Sequence, residues 1–184
     1  MNKAVLISIQ PKWCELIASG KKTVEVRKTK PKLETPFKVY IYCSEKEYDK
    51  VFCIDKYMHK IFLDGNAKQK VIGEFVCDDI REHRAYKWRE GGFEGLNYKY
   101  NSDLSGESCI SQDDLMKYGN RKPLYGWHIS SLVIYDKPME LSEFKQCHKC
   151  EYYANCFEHE YSCDGVYNLT RPPQSWCYIE EIGG

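Results

Sequence analysis

The sequence lacks an excess of charge of either sign. Lysine and arginine together number 27, aspartate and glutamate also number 27, and the formal net charge of the 184-residue chain is therefore zero. A protein that coats nucleic acid through unspecific attraction to phosphate carries a large positive charge, so the composition argues against that function. A local basic cleft is still compatible with a net charge of zero.

Long hydrophobic runs are also missing. The N-terminal stretch MNKAVLISIQPKW is too briefly apolar for a signal peptide, and no later segment approaches a membrane span. The ten cysteines would suit disulfides in a secreted protein, but no export signal supports that compartment. We therefore expect a cytoplasmic protein without membrane contact, in which clustered cysteines bind metal.

Motifs of the common enzyme classes are absent as well. The chain shows no Ser/His/Asp order, no glycine-rich phosphate loop and no paired-carboxylate motif. It has no internal repeat and no low-complexity segment. Its length suits one domain, and a hydrophobic content of 42% indicates a folded chain.

Residue patterns predict several strands and few helices, without a βαβ rhythm. The expected strands are Val5 to Ile9, Phe37 to Cys43, a run from Val71 with a bulge at Gly73, a long strand from Gly126 to near Pro138, and a closing strand in RPPQSWCYIEEI. The expected helices run from Pro11 to Gly20, around Val51 to Phe62, and from the capping-box-like SQDD at Ser111 to Asp114. The stretch Glu90 to Gly106 is predicted to be a loop.

The segment after Gly20 places one carboxylate, Glu25, among lysines and an arginine. Strand alternation would put Thr23, Glu25 and Arg27 on one face, and Lys22 would join them only if the strand starts twisted. A solvated edge strand would show the same pattern. The alternative is a pocket whose walls present donors and one acceptor to a polar ligand.

The residues from Gly20 to Arg27 spell G-x-K-T-x-E-x-R between a short helix and a strand. This resembles the signature of ASCH domain proteins, a branch of the PUA-like superfamily. The segments IGEFV, YGWHIS and RPPQSWCYIEE are similar to further motifs of that family and follow in the same order. The resemblance covers most of the chain except the cysteine-rich segment.

The resemblance implies an α+β fold with a small mixed PUA-like β-barrel and flanking helices, to which the cysteine pattern adds an inserted metal-binding loop. Residues 1–184 would form a single domain, with residues 146–164 as the insertion. Proteins of this family are expected to bind RNA or modified nucleosides in a cleft beside the signature. In such a cleft Lys22 and Arg27 would attract phosphate or polarise a carbonyl, and Glu25 would accept a hydrogen bond from an exocyclic amine.

An enzymatic subset of the family, the acetylcytidine amidohydrolases, hydrolyses an amide on an acylated nucleoside. Those enzymes carry a nucleophilic threonine two positions after the first threonine of the motif, where this chain has Glu25. A carboxylate can act as a general base but cannot form the threonine ester, so the enzymatic alternative would depend on Lys22 and Glu25.

Aromatic and polar residues near the motifs are further candidates for the ligand site. Tryptophans can stack on bases, although Trp127 is as well explained as a core residue and His128 as a hydrogen-bonded structural one. The complete set of predicted ligand-binding residues is Gln10, Lys12, Trp13, Lys22, Thr23, Glu25, Arg27, Arg171, Gln174, Ser175 and Trp176.

The segment CHKCEYYANCFEHEYSC has the spacing C-x2-C-x5-C-x6-C. The predicted ligands are Cys147, Cys150, Cys156 and Cys163, and His148 and His159 are alternatives. Zinc is the expected metal, an iron–sulfur cluster is a competitor, and free cysteines are the third possibility.

Three functions follow from these patterns. The first is a module that binds RNA or a modified nucleotide and carries a structural zinc site. The second is an amidohydrolase that acts on an acylated nucleoside. The third is an adaptor that contacts a protein partner through residues 146–164.

Overall fold

The computed structural model describes residues 3–44, 67–88, 97–147 and 166–182. Its helices are α1 (Pro11–Ala18), α2 (Ser102–Ser108) and α3 (Gln112–Gly119), with a short 3-10 helix at Leu141–Glu143. Its strands are β1 (Lys3–Ile9), β2 (Val24–Arg27), β3 (Phe37–Cys43), β4 (Lys70–Cys77), β5 (Ile80–His83), β6 (Tyr86–Trp88), β7 (Asn97–Lys99), β8 (Leu124–His128), β9 (Ser130–Met139), β10 (Lys145–Cys147), β11 (Val166–Asn168) and β12 (Trp176–Glu180).

A seven-stranded main sheet has the order β11-β10-β12-β1-β3-β4-β9. Its centre is parallel where β1 pairs with β3 and antiparallel on either side. The apolar run of β1 is buried on both faces: Val5 and Ile7 pack in one hydrophobic cluster, and Ala4 and Leu6 pack in another. A strand that is apolar at successive positions therefore lies inside the fold, with side chains packed on both faces of the sheet.

A three-stranded small sheet, β2-β8-β5, packs over one face of the main sheet. Trp127 of β8 lies in the same cluster as the main-sheet side chains, whereas Val24 and Val26 of β2 pack outward in a cluster that contains Leu104 of α2 and Leu115 of α3. Because strand side chains alternate, Glu25 and Arg27 point away from that outer cluster, towards the main sheet. Both faces of β2 are buried.

Most of the expected local structure is confirmed. The strands β1, β3, β4 and β12 and the helix that begins at Pro11 lie where the patterns predict them. The register of β3 and β4 shifts near Gly73, as expected for a bulge. Ser111 caps α3 by accepting a hydrogen bond from the backbone of Asp114.

Two expectations about the elements are wrong. The long strand from Gly126 is divided between β8 in the small sheet and β9 in the main sheet, because the chain changes sheets near Ser131, which has a φ of 47°. The loop expected at Glu90 to Gly106 contains β7 and most of α2, whose N-cap is the side chain of Asn101. The helix expected around Val51 to Phe62 lies outside the described residues.

The expected barrel is not closed in the described part of the chain. The outer strands of the main sheet, β11 and β9, do not pair with each other, and the small sheet is stacked on the main sheet instead of joining its hydrogen-bonded ladder. The physical reason is that stacking buries Trp127 between the sheets. The fold is a mixed α+β arrangement of packed sheets with flanking helices.

No helix in the described ranges combines the length and apolar character that a membrane span requires.

Gly73 provides a test of the packing between β4 and β9. A Cβ atom at this position would overlap the backbone carbonyl oxygen of Val133 and lie 3.1 Å from the Cα of Ile134. Because backbone atoms cannot rotate away, we expect Gly73→Ala to lower the free energy of unfolding by about 1–3 kcal/mol, measured by urea denaturation.

The matched control is Gly106→Ala in α2, where no heavy atom lies within 4 Å of the added Cβ. It should raise the free energy of unfolding by about 0.5–1 kcal/mol, because alanine favours the helix. Equal stabilities of the two variants would contradict the close approach of β4 and β9.

Candidate functional site

A cavity of about 820 Å³ opens where the end of β1, the start of α1 and strand β2 meet the turn before β12. Of the predicted ligand-binding residues, the structure brings eight together in its lining: Gln10, Lys12, Trp13, Lys22, Glu25, Arg27, Gln174 and Ser175. The two proline residues before Gln174 also line it. The motif after α1 and the distant C-terminal motif thus share one cavity.

Two buried cations hold the carboxylate of Glu25. Lys22 Nζ lies 3.3 Å from Glu25 Oε2, and Arg27 Nη2 lies 2.9 Å from Oε1. The exposed fractions are 1% for Lys22, 6% for Glu25 and 8% for Arg27, so solvent screens these contacts little. We call these three residues the buried triad.

Backbone carbonyls fix the positions of both cations. Lys22 Nζ donates to the carbonyl oxygen of Ser108 at 2.9 Å, at the C-terminal end of α2. Arg27 Nη2 donates to the carbonyl oxygen of Ser8 at 2.7 Å, in β1. The buried triad therefore ties β2 to a strand of the main sheet and to a helix end, where a cation is favourable.

The turn that precedes β12 closes the cavity from the other side. Ser8 donates from its backbone N–H to the carbonyl of Ser175 at 2.9 Å, and its hydroxyl donates to the carbonyl of Pro173 at 2.6 Å. Arg27 Nη1 donates to the hydroxyl of Ser175 at 3.5 Å. These hydrogen bonds hold the polar groups of Ser175 at the cavity.

Aromatic and basic side chains surround the cavity mouth. Trp13 is half-buried, with Lys12 Nζ 4.3 Å and Lys22 Nζ 5.3 Å from its ring centroid. Lys28 Nζ lies 4.6 Å from the ring centroid of Tyr118. The lining includes four basic and two acidic side chains, a formal excess of two positive charges.

Three of the predicted residues lie outside the cavity lining. Thr23 is exposed and precedes β2, which begins at Val24. Its backbone N–H donates to the backbone carbonyl oxygen of Glu107. Arg171 is exposed. Trp176 packs edge-on against Trp127, at 5.8 Å between ring centroids, and belongs to the framework.

The structural explanations offered for Trp127 and His128 agree with the structure. Trp127 is fully buried in the core. His128 Nδ1 lies 2.6 Å from Asp78 Oδ1, and this hydrogen bond holds the pKa of Asp78 below its ordinary value.

Sequence reasoning missed several residues of the lining, among them Ser8, Lys28, Thr29, Ser44, Asp114 and Tyr118. Tyr118 and Asp114 come from α3, far along the chain from α1, and no local pattern relates the two helices. Lys28 follows the signature directly, so extending the motif by one residue would have found it.

The predicted metal site cannot be compared with the structure, since Cys150, Cys156 and Cys163 lie outside the described residues, as do His148 and His159. The backbone of Cys147 ends β10 and pairs with Val166 of β11. Within the ranges that the structure describes, no group of three or more His, Cys, Asp or Glu residues could hold a metal ion.

The burial of Lys22 predicts a dependence of stability on pH. Burial lowers the pKa of Lys22, and the attraction of Glu25 offsets part of this effect. Between the lowered folded pKa and the ordinary value of 10.5, the unfolded chain binds more protons than the folded chain, so this group increases stability as pH rises. We expect the free energy of unfolding of the native chain, minus that of Lys22→Met, to rise towards pH 10.5.

The control for this measurement is Lys137→Met, which removes an exposed lysine outside the cavity. The free energy of unfolding of the native chain, minus that of Lys137→Met, should change little over the same pH range. A difference for Lys22→Met that is flat or falls with pH would contradict the described burial of the amine.

The geometry can be compared with known proteins. The ASCH domain model matches residues 7–163. No curated protein matches the chain. Among solved structures, an ASCH protein from Zymomonas mobilis has a TM-score of 0.51 at 16% identity, with 97% of this chain and 88% of that chain covered.

Two variants of the Zymomonas mobilis protein give similar values. A Tyr→Phe mutant has a TM-score of 0.52 at 16% identity, covering 98% of this chain and 92% of that one. A Ser→Ala mutant has a TM-score of 0.53 at 16% identity, covering 97% and 89%. At this identity the likeness shows a shared fold alone. Because the family match extends over most of the sequence and includes the signature around the cavity, the chain belongs to the ASCH domain family.

Proposed function

We propose that this ASCH protein binds RNA or a modified nucleotide in the cavity beside β2. The observation that carries the proposal is the buried triad at a cavity whose mouth holds Trp13, Lys12 and Lys28. A ligand with an aromatic base, polar base edges and a phosphate would use each of these groups.

Charge supports the phosphate part of the ligand. The excess of two positive charges in the lining, together with the exposure of Lys12 and Lys28, gives a polyanion a favourable approach from solvent. Contacts from lysine to phosphate supply affinity without sequence selectivity.

Hydrogen-bonding capacity supports the base part of the ligand. Each carboxylate oxygen of Glu25 has two lone pairs, so it retains acceptor capacity while it is bound to Lys22 or Arg27. An exocyclic amine of a base is a matching donor, and the half-buried ring of Trp13 offers a surface for stacking. Because the buried triad is fixed by carbonyls of Ser8 and Ser108, these groups need little rearrangement on binding.

Size is compatible with the same ligand. Pockets for small molecules and cofactors measure about 300–1,000 Å³, and the cavity, at about 820 Å³, falls within that range.

The amidohydrolase alternative is less well supported. Glu25 stands where the enzymes have a nucleophilic threonine, and both of its oxygens contact cations. Thr29 lines the cavity, but its hydroxyl accepts a hydrogen bond from Trp176 Nε1 at 3.0 Å. The arrangement favours holding a ligand over forming a covalent ester with it.

Residues at the mouth give a sharper test than the buried triad. Removing Lys22 or Arg27 breaks one of the two buried ion pairs of Glu25 and removes a donor to a backbone carbonyl, so a loss of stability would confuse binding with folding. We expect Trp13→Ala to weaken binding of single-stranded RNA about 5- to 150-fold, the equivalent of ~1–3 kcal/mol of stacking. Lys12→Ala should reduce the salt dependence of the affinity by about 0.7 in the log–log slope. Fluorescence anisotropy titration at several salt concentrations measures both.

Lys137→Ala is the control, since it removes an equal charge outside the cavity. Trp13→Phe should retain most of the affinity because it keeps an aromatic surface. Unchanged affinity in both Trp13→Ala and Lys12→Ala would refute the cavity as the binding site. Release of acetate from acetylated cytidine by the native chain, abolished in Glu25→Gln, would favour the enzyme instead.

We also propose that residues 147–163 bind one zinc ion through Cys147, Cys150, Cys156 and Cys163. The spacing supports this, and β10 and β11, which flank the segment, pair so that Cys147 lies opposite Val166. Four thiolates suit tetrahedral zinc, which can stabilise a segment too short to build a core. Such a metal-stapled loop would also offer a contact surface for a protein partner.

Elemental analysis of the purified chain should find about one zinc per molecule under this four-ligand assignment. The double variant Cys147→Ala/Cys150→Ala should lose the metal, whereas Cys177→Ala, which changes a cysteine of β12, should retain it. A brown protein would identify an iron–sulfur cluster, and a colourless, metal-free chain would reject the site.

A further inference from the structure

Exposed basic residues are concentrated in two segments that meet beside the cavity. We define the basic ridge as Lys28, Lys30, Lys32, Lys117, Arg121 and Lys122, all of which are exposed. The segments 27–32 and 117–122 contain no acidic residue, although acidic and basic residues are equally numerous in the whole chain. A chain whose net charge is zero therefore has a region in which positive charge is concentrated.

Sheet topology explains why these two segments meet. Strands β2 and β8 are antiparallel neighbours, and Arg27 at the end of β2 lies opposite Tyr125 near the start of β8. The chain therefore leaves β2 and enters β8 at the same edge of the small sheet. One contact joins the segments there, from Lys28 Nζ to the Tyr118 ring, and Lys30 Nζ lies 5.7 Å from the ring of Tyr125 in β8.

Hydrogen bonds hold the first segment against the aromatic residues of β12. Trp176 Nε1 donates to Thr29 Oγ1 at 3.0 Å, and the backbone N–H of Lys32 donates to the Tyr178 hydroxyl at 2.7 Å. The side chains of Lys30 and Lys32 remain exposed on this anchored backbone. A fixed row of cations binds a polyanion with less loss of conformational freedom than a flexible tail.

The basic ridge adjoins the cavity, because Lys28 belongs to both and contacts Tyr118 of the cavity lining. We infer that the ligand is a single-stranded polynucleotide, with one nucleotide in the cavity and the neighbouring phosphates along the basic ridge. This inference rests on the proposed function and narrows its ligand from RNA or a modified nucleotide to a single strand that extends beyond the cavity. A base can enter the cavity only when it is unpaired and unstacked, so a single strand fits better than a duplex.

Asp114 limits the basic ridge on one side. It lines the cavity, and its Oδ1 lies 3.9 Å from Lys117 Nζ. The phosphates are therefore expected along Lys30 and Lys32, away from this carboxylate.

The test compares a nucleoside monophosphate with single-stranded RNA oligonucleotides of increasing length, using the full chain. The affinity should rise with length beyond one nucleotide. Lys30→Ala/Lys32→Ala should reduce the log–log salt slope for the oligonucleotides by about 1.4, at ~0.7 per phosphate contact, and leave binding of the monophosphate unchanged. Lys137→Ala/Lys145→Ala removes the same charge from β9 and β10 and should change neither.

The outcomes separate the two proposals. Monophosphate binding without any gain from length would overturn the basic ridge and leave the cavity proposal standing, whereas binding of neither probe would overturn both. An equal loss in the control pair, or equally tight binding of a duplex, would also overturn the basic ridge. A comparison with single-stranded DNA of the same sequence identifies the sugar of the bound strand. Tighter binding of RNA supports an RNA ligand, and tighter binding of DNA contradicts an RNA ligand.

Discussion

Glu25 lies between two cations in a place where none of the three charges is well solvated. Taking such groups out of water costs several kcal/mol per ion, and mutual attraction offsets this only when the geometry is good and the remaining polar atoms are paired. The carbonyls of Ser8 and Ser108 accept hydrogen bonds from Arg27 and Lys22, whereas Arg27 Nε is buried without a hydrogen-bond partner among the described residues. The placement of β2 between the main sheet and α2 depends on this network.

The same interaction accounts for the shape of the cavity. Apolar side chains of similar volume at these positions could stabilise a fold as well as the buried triad does, but they would offer a ligand no donors or acceptors. The buried triad instead presents preorganised charges in a partly desolvated space, where their attraction for a polar ligand is stronger than in water. Its cost to stability is consistent with the binding function that we propose.

Local sequence signals predicted β1, α1 and the residues of the buried triad, since each depends on a pattern within a few neighbouring residues. They failed where a distant element decided the outcome. The segment from Gly126 continues as a β-rich run, yet it divides because the small sheet needs β8 and the main sheet needs β9. Tyr118 reaches the cavity only because α3 packs on the outer face of β2, a contact that no short motif encodes. For Thr23 the difference is local. The predicted strand alternation included Thr23, whereas β2 begins at Val24.

The zero net charge describes the whole molecule and not each part of its surface. It argues against a coat of positive charge over the whole molecule, but a bound strand responds to the charges within about 10 Å of it at moderate salt. Over that distance the ligand would meet Lys12, Lys28 and the basic ridge, not the average of the 54 ionised side chains counted as 27 basic and 27 acidic. Neither ridge segment contains an acidic residue, and Asp114 of the cavity lining, 3.9 Å from Lys117, is an acidic neighbour of the ridge. A neutral chain can therefore contain a surface that selects polyanions, provided that its topology brings two basic segments to the same sheet edge.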